Sequence, residues 1–329
     1  MSQALSGNPA LIGSRYIYFA TNLLILSFPL IYHGVFSSLR TNSTSEVAAG
    51  IMSEPYPART PVYFLGIGGP NFMEAKDHPA YHQLAAVGRE ITTIVKPKAV
   101  VVFSAHWQDS PNSISVNTAE HTDLIYDFYN FPPHYYEYEY PNKCSPEVAE
   151  RVIDKLSSAG IKVERVKRGL DHGVWVGFLA AFDPKNNPLN VPIVQISLYA
   201  NEDYEQHYRL GQALQSLRDE GILIIGAGMA VHNLRDSRAM RGTTKTMPYT
   251  VSFDEALREA ATAQPDKRQE SMSALMGRSD ARHAHPSLEH ILPMYIAAGA
   301  AGSDTGERLW TLPEGSLNWA QYRFGQVES

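Results

Sequence analysis

The sequence predicts an α/β fold, in which strands and helices alternate along the chain. Residues 99–104 form an unbroken, largely β-branched apolar run, which is typical of a strand buried on both faces of a sheet. Residues 79–95 instead repeat apolar side chains at helical spacing, with Leu84, Val87, Ile91 and Ile94 on one face. The 329 residues suffice for one large α/β domain or two small ones.

The same succession of strand, loop and helix continues toward the end of the chain. Further strands are predicted at 62–65, 161–166, 192–198, 222–226 and 309–312, the last at an edge of the sheet. Further helices are predicted at 146–159, 203–220, 249–263, 267–276 and 294–301. We find neither an internal repeat nor a low-complexity segment.

Composition and charge exclude several classes of protein. The formal net charge of −6 does not indicate a nucleic-acid partner. Cys144 is the only cysteine, so an intrachain disulfide and a cysteine-rich zinc site are both excluded. Any bound metal must therefore be held by histidines and carboxylates, a donor set that suits Zn(II) or Fe(II).

Residues 1–51 differ from the rest of the chain and form an N-terminal apolar segment. Within it, 16–36 is long enough to cross a bilayer and predicts a signal peptide or a membrane anchor, which would place the protein in the secretory pathway or at a membrane. Met52 opens a stretch that is typical of the start of a soluble protein. Translation from Met52 would make 1–51 a mispredicted extension and the protein cytoplasmic, and these alternatives stay open.

Histidines follow predicted strands and precede a predicted helix in widely separated parts of the sequence. His106 follows strand 99–104, His232 follows strand 222–226, and His285, Glu289 and His290 precede helix 294–301. In an open α/β sheet the carboxyl ends of the strands meet at one edge, where ligands bind. Three convergent ligands with an open position form a catalytic metal site, and the alternative is a set of unrelated structural histidines.

His172 follows strand 161–166 and is the candidate for a fourth histidine at this edge. A histidine that is not needed as a ligand can act as an acid or a base near neutral pH. Residues 124–140 are rich in aromatic side chains. We expect most of these rings to pack on one another and one or two to line a pocket for a flat ligand.

Four sequence blocks together resemble the DOPA-type extradiol aromatic ring-opening dioxygenases, a branch of the class III, LigB-like superfamily. These blocks are Phe103-Ser104-Ala105-His106-Trp107, Leu170-Asp171-His172-Gly173-Val174-Trp175, Gly226-Ala227-Gly228 with His232-Asn233-Leu234, and His285-Pro286 with Glu289-His290 and Pro293. The resemblance extends from about residue 62 to the C-terminus and makes 52–329 an extradiol dioxygenase-like catalytic domain. It implies a single α/β domain with a mixed central sheet and helices on both sides.

The resemblance also implies a site and a reaction. His106 and His290 would be metal ligands, His232 a further ligand or an acid–base group, and His172 part of the substrate pocket. Members of the family bind Zn(II) or Fe(II), and the active ones open catechol rings next to the diol with O2 as co-substrate. A small, catechol-like aromatic substrate is therefore expected, in pigment biosynthesis or other secondary metabolism.

The chain departs from the family pattern at Ile67. In the family the loop after the first strand usually reads Ser-His-Gly-Gly-Pro, and its histidine is a metal ligand. Here the loop reads Gly66-Ile67-Gly68-Gly69-Pro70, and an isoleucine cannot coordinate a metal. Loss of one ligand weakens metal binding unless another side chain completes the set. We expect His106, His232 and His290 to form that set.

Three hypotheses follow from these residues. In the first, the protein is a metal-dependent extradiol dioxygenase in which His232 or His172 moves the protons. In the second, the altered site catalyses a step without O2, such as a cyclisation, an isomerisation or a hydrolysis. In the third, the protein is not an enzyme and binds an aromatic ligand or a partner.

Overall fold

An eight-stranded mixed sheet forms the centre of the computed structural model, which describes residues 59–327 apart from 241, 242 and 244. The strands of the described residues, including those of two small additional sheets, are β1 (Val62–Gly66), β2 (Ala99–Ser110), β3 (Ile114–Asn117), β4 (Leu124–Ile125), β5 (Val163–Val166), β6 (Leu170–Asp171), β7 (Ile193–Tyr199), β8 (Ile222–Gly228), β9 (Val231–His232), β10 (Gly306–Trp310), β11 (Pro313–Glu314), β12 (Leu317–Asn318) and β13 (Gln321–Phe324).

The strand order in the large sheet is β10-β13-β1-β8-β2-β7-β3-β5. The central strands β1, β8, β2 and β7 are mutually parallel, whereas β13 pairs antiparallel with β1 and β3 pairs antiparallel with β7. The mixed sheet implied by the family resemblance is therefore confirmed. The small sheets have the strand orders β11-β12-β9 and β4-β6.

Helices cover both faces of the large sheet. The α-helices of the described residues are α1 (Pro79–Glu90), α2 (Pro146–Ser158), α3 (His172–Ala181), α4 (Tyr204–Leu214), α5 (Leu234–Ala239), α6 (Pro248–Ala261), α7 (Pro265–Leu275), α8 (Ala281–Ala284) and α9 (Leu292–Ala300). Alternate residues of β2 point to opposite faces. Val101 packs in the core with α2, α4, α6, α7 and α9, while Val102 packs in a second core with α1 and α3. Helices on both sides of the sheet are thus confirmed.

Several predicted elements have different ends or neighbours in the structure. Helix 79–95 changes at Ile91–Val95 from α to π geometry, and helix 203–220 ends in a 3-10 segment over Gln215–Glu220. β10 lies at the edge of the large sheet, as predicted for 309–312. β13 was not predicted, because its four residues alternate polar and aromatic side chains too briefly to distinguish a strand from a tail.

The N-terminal predictions lie outside the described residues. These are the apolar segment 1–51, its possible membrane or secretory role through 16–36, and the alternative start at Met52. Within residues 59–327, apart from the gaps given above, every helix is too short or too polar to cross a bilayer.

The register of the central strands brings the carboxyl ends of β1, β2 and β8 to one edge of the sheet. Leu65 of β1 and Ser104 of β2 are both paired with Ala227 of β8. The loop after β1, the part of β2 beyond Ser104, which contains His106, and the segment after β8 therefore begin at the same level. α3 begins beside them, because a Cβ at Gly173 would lie only 2.8 Å from Cδ2 of His106.

Candidate active site

Four histidines from four separate segments meet at this edge of the sheet. The rings of His106 and His172 are 4.0 Å apart between centroids, and those of His106 and His290 are 5.3 Å apart. His232 stacks on His290 with a centroid distance of 3.5 Å and an interplanar angle of 16°. The structure thus brings together four of the five histidines singled out from the sequence, namely His106, His172, His232 and His290.

A buried network fixes the start of α3 against β2. Asp171 is fully buried and accepts hydrogen bonds from Ser104 Oγ at 2.6 Å and from Arg168 Nη1 at 3.0 Å. The same Ser104 hydroxyl accepts a hydrogen bond from the backbone N–H of His106 at 3.0 Å. Because Asp171 directly precedes His172, this network places the backbones of both histidines.

Two of the site histidines share one carboxylate. We call these three residues the Asp127 group: His106, Asp127 and His172. Nδ1 of His106 lies 3.0 Å from Oδ2 of Asp127, and Nδ1 of His172 lies 2.8 Å from Oδ1. The backbone N–H of His172 donates to the same Oδ1 at 2.9 Å. Asp127 was missed in the sequence, where it is one of three acidic residues within the aromatic stretch 124–140.

The shared carboxylate determines the charge of the Asp127 group. Burial of His106 disfavours its protonated form, but the hydrogen bond to Asp127 and the negative charge of Asp171 outweigh burial, so the pKa of His106 is raised. Burial disfavours the Asp127 carboxylate as well, yet its hydrogen bonds to His106 and His172 lower the pKa of Asp127 strongly. Asp127 is therefore an ionised acceptor.

The other half of the site is the His290 group, which we define as His232, Glu289 and His290. Nδ1 of His290 lies 2.9 Å from Oε1 of Glu289. Burial, followed by the neighbouring His106, lowers the pKa of His290 well below its ordinary value. Burial, followed by the repulsion that a protonated His290 would exert, lowers the pKa of His232 to about 2. Both imidazoles are therefore neutral, which is the form that binds a metal.

The donor atoms of this edge fit a divalent metal. Within the Asp127 group and within the His290 group, one potential ligand atom from each residue lies within 4.8 Å of the others. The predicted ligands are divided between the two groups, with His106 in the first and His232 and His290 in the second. His106 and His290 both direct Nδ1 to a carboxylate, which leaves Nε2 free, as in metal-binding histidines oriented by a carboxylate.

Ile67 is a buried, apolar residue in the loop after β1, at the same edge of the sheet. Its backbone N–H donates to the carbonyl of Gly228 at 3.2 Å, and its side chain packs on α3 so closely that a Cβ at Gly177 would lie 2.4 Å from Ile67 Cβ. Gly173, one helical turn earlier on α3, makes the corresponding close approach to His106. Ile67 therefore faces the stretch of α3 that borders the histidines, without a donor atom.

His285 does not join the cluster, although the sequence places it beside Glu289 and His290. It is fully buried, and its Nε2 donates to the carbonyl of Ala230 at 2.9 Å. Burial lowers its pKa to about 4. His285 is thus a structural histidine that ties the segment before α9 to the segment after β8.

The aromatic stretch covers the Asp127 group mainly with rings that pack on one another. Phe128 stacks on Tyr136 at 5.0 Å and meets the ring of His172 edge-on at 5.4 Å. Tyr126 packs on Trp175 of α3 at 5.3 Å, whereas the side chain of Tyr129 is exposed. Phe128 is therefore the ring of this stretch that contacts a site histidine.

Comparison with known proteins identifies a family that the chain matches. The family described as the catalytic LigB subunit of aromatic ring-opening dioxygenase matches residues 61–318. The chain is 34% identical over 270 residues to 4,5-DOPA dioxygenase extradiol of Beta vulgaris, covering 80% of this chain and 95% of that protein. It is 31% identical to the protein of the same name from Escherichia coli K12, covering 74% and 85%.

A solved structure supports the same relationship. The crystal structure of an uncharacterized protein of Escherichia coli K12 aligns with 81% of this chain and 100% of its own length, with a TM-score of 0.66 and 28% identity. The eight-stranded mixed sheet, the four histidines at its edge and the match over 61–318 therefore lead to one conclusion. The chain belongs to the LigB family of class III extradiol ring-opening dioxygenases.

Proposed function

We propose that the protein opens the ring of a small, catechol-like aromatic next to its diol, with O2 as co-substrate and a divalent metal as cofactor. The observation that carries this proposal is the meeting of four histidines, three of which, His106, His172 and His290, have Nδ1 held by a carboxylate and Nε2 free. In this proposal residues 52–329 form the catalytic domain. The names of the relatives favour a substrate of the DOPA type. A role in pigment or other secondary metabolism is what the family resemblance implies.

The ligand set of this proposal is His106, His232 and His290. Zn(II) also suits such donors, but it has no redox chemistry, so a reaction with O2 favours Fe(II). Bound Fe(II) would supply open coordination positions for the catechol oxygens and O2. The lowered pKa makes His232 a poor proton acceptor, so we assign it the ligand role rather than its alternative role as an acid–base group.

His172 is the proposed acid–base residue. Its Nδ1 is hydrogen-bonded to Asp127, so its Nε2 can take a proton from a substrate hydroxyl while the carboxylate stabilises the resulting imidazolium. Phe128 lies edge-on against this ring and excludes water from one side of it. His172 would thus hold the proton at Nε2 until the opened product accepts it.

The first test is the metal content of the full-length chain after anaerobic incubation with Fe(II), followed by O2 uptake with catechols. We expect about one equivalent of iron and catechol-dependent O2 uptake in the unaltered protein. Ile67→His serves as the gain-of-ligand variant, and Ile67→Val is the matched control that keeps the side chain apolar. An iron-free unaltered protein beside an iron-loaded Ile67→His variant would contradict the proposal.

A second candidate function is favoured by Ile67 itself, since this buried side chain contributes no donor next to the histidines. The site would then use His106, His172, His232 and His290 without O2, in a cyclisation, an isomerisation or a hydrolysis, or would bind an aromatic ligand without catalysis. Equal binding of a catechol by the metal-free and iron-treated proteins, with no O2 uptake by either, would support this candidate.

A further inference from the structure

Asp127 lies between two histidines that the proposed function uses differently. Oδ2 faces Nδ1 of His106 at 3.0 Å, while Oδ1 faces Nδ1 of His172 at 2.8 Å and the backbone N–H of His172 at 2.9 Å. An ionised carboxylate only accepts hydrogen bonds, so each facing nitrogen must carry a hydrogen. We propose that Asp127 is a positioning residue that holds His106 and His172 in the same Nδ1–H tautomer.

This tautomer determines what the far side of each ring can do. A neutral imidazole carries one hydrogen, so a hydrogen on Nδ1 leaves Nε2 with a free lone pair. The lone pair of His106 can then bind a metal, and that of His172 can accept a proton. The Asp127 carboxylate thus leaves Nε2 of both rings available, at His106 for binding a metal and at His172 for accepting a proton.

The aromatic stretch supplies and fixes this carboxylate. Just before Asp127, Ile125 pairs with Asp171 between β4 and β6, and its carbonyl accepts a hydrogen bond from Nε1 of Trp175 at 3.0 Å. Just after Asp127, Phe128 packs on Tyr136. The chain is therefore anchored to the fold on both sides of Asp127, which keeps the two carboxylate oxygens directed at the two rings.

The two oxygens of Asp127 differ in their number of donors, and this difference makes the test specific. In Asp127→Asn one oxygen becomes an NH2 group, which cannot accept a hydrogen bond. We expect the remaining oxygen to stay on the His172 side, where two N–H groups point at it. The NH2 group then faces Nδ1 of His106, so His106 changes to the Nε2–H tautomer while His172 keeps Nδ1–H.

The experiment is long-range ¹H–¹⁵N correlation NMR of histidine ring nitrogens in the full-length, ¹⁵N-histidine-labelled, metal-free protein at about pH 8.5, which favours neutral imidazoles. His106→Gln and His172→Gln assign the two rings. We expect the Nδ1–H pattern for both rings in the unaltered protein and a change of His106 alone in Asp127→Asn. Glu289→Gln is the matched control, because it alters the carboxylate partner of His290 and leaves both rings of the Asp127 group unchanged.

Two results would overturn the inference. One is an Nε2–H pattern for His106 or His172 in the unaltered protein, which needs no variant to be observed. The other is a folded Asp127→Asn protein in which His106 keeps Nδ1–H. The inference rests on the proposed function for its catalytic meaning, but the spectra need neither metal nor substrate. Failure of ring cleavage would therefore leave the tautomer result intact.

Discussion

The Asp127 group and the His290 group use the same kind of side chain in opposite electrical environments. In the Asp127 group a shared carboxylate raises the pKa of His106 despite its burial. In the His290 group burial dominates, and the pKa values of His232 and His290 are lowered. The two groups touch through His106 and His290, whose ring centroids are 5.3 Å apart.

This difference indicates that the two groups of the cluster have different chemical roles. Asp127 accepts a hydrogen bond from Nδ1 of His172 and would stabilise its imidazolium, so the Asp127 group suits proton transfer. Buried neutral imidazoles keep their lone pairs, so the His290 group suits metal binding. His106, at the boundary, belongs to the first group by its hydrogen bond and to the second by its proposed role as a ligand.

The largest expected difference between the groups is in metal content. His290→Ala removes a proposed ligand, and we expect its iron content to fall from about one equivalent to near zero by elemental analysis. His172→Ala keeps the ligand set, so we expect bound iron but a decrease of about 10²–10⁴-fold in the rate of O2 uptake. His283→Ala is the control, because the exposed side chain of His283 lies on the same segment. Equal loss of iron in the two site variants would contradict the division between the groups.

The second prediction concerns a histidine outside the site, which burial alone is expected to keep neutral. His207 on α4 is fully buried and donates from Nδ1 to the carbonyl of Asp203 at 2.7 Å. Burial lowers its pKa to about 4. The imidazole of His207 therefore binds a proton below about pH 6.5 in the unfolded chain, but only below about pH 4 in the folded chain. The stabilising effect is complete above this window and is lost as the pH falls through it.

The loss from His207 corresponds to about 3 kcal/mol in the free energy of unfolding between pH 7 and pH 4. We expect urea unfolding to show that the free energy of unfolding falls less between pH 7 and pH 4 in His207→Gln than in the unaltered protein. The difference between the two decreases should be about this amount. Equal decreases would mean that burial of His207 does not suppress its protonation. The low pKa values assigned to the His290 group would then need a cause other than burial.

The smallest expected effect distinguishes a carboxylate that orients a ligand from one that is a ligand. If Glu289 only orients His290, Glu289→Gln should weaken Fe(II) binding by about 10- to 100-fold in an anaerobic titration. Complete loss, as expected for His290→Ala, would show that the Glu289 carboxylate itself binds the metal. The His290 group would then supply two nitrogens and one oxygen.

Much of the fold could be predicted because its signals are local. The apolar run of β2 and the helical spacing in α1 depend only on neighbouring residues, and both elements are present. The partner of β1 on its outer side could not be predicted in the same way. β13 lies more than 250 residues further along the chain, and its pairing with β1 depends on long-range packing.

The site was predictable in its histidines and not in its carboxylate. His106 and His232 come directly after predicted apolar strands in the sequence, a local pattern whose meaning comes from the common edge of the sheet. In the structure β2 continues to Ser110, so His106 lies within this strand rather than after it. Asp127 lies in an irregular stretch, where no periodicity indicates which way a side chain points. Its role appears only when β4 and β6 pair and bring residues 127 and 172 together. His285 was grouped with His290 by sequence distance, yet it points into the core and donates to Ala230.

The backbone around Ile67 is held independently of its side chain. The N–H of Ile67 donates to Gly228, and both backbone groups of the preceding Gly66 bond to the side-chain amide of Gln321. The backbone at position 67 is therefore held in place at the edge of the sheet that carries the histidine cluster. Exchanging its side chain for histidine, aspartate or cysteine would vary one donor at a time on a constant scaffold. The protein thereby offers a natural starting point for a designed series of metal sites.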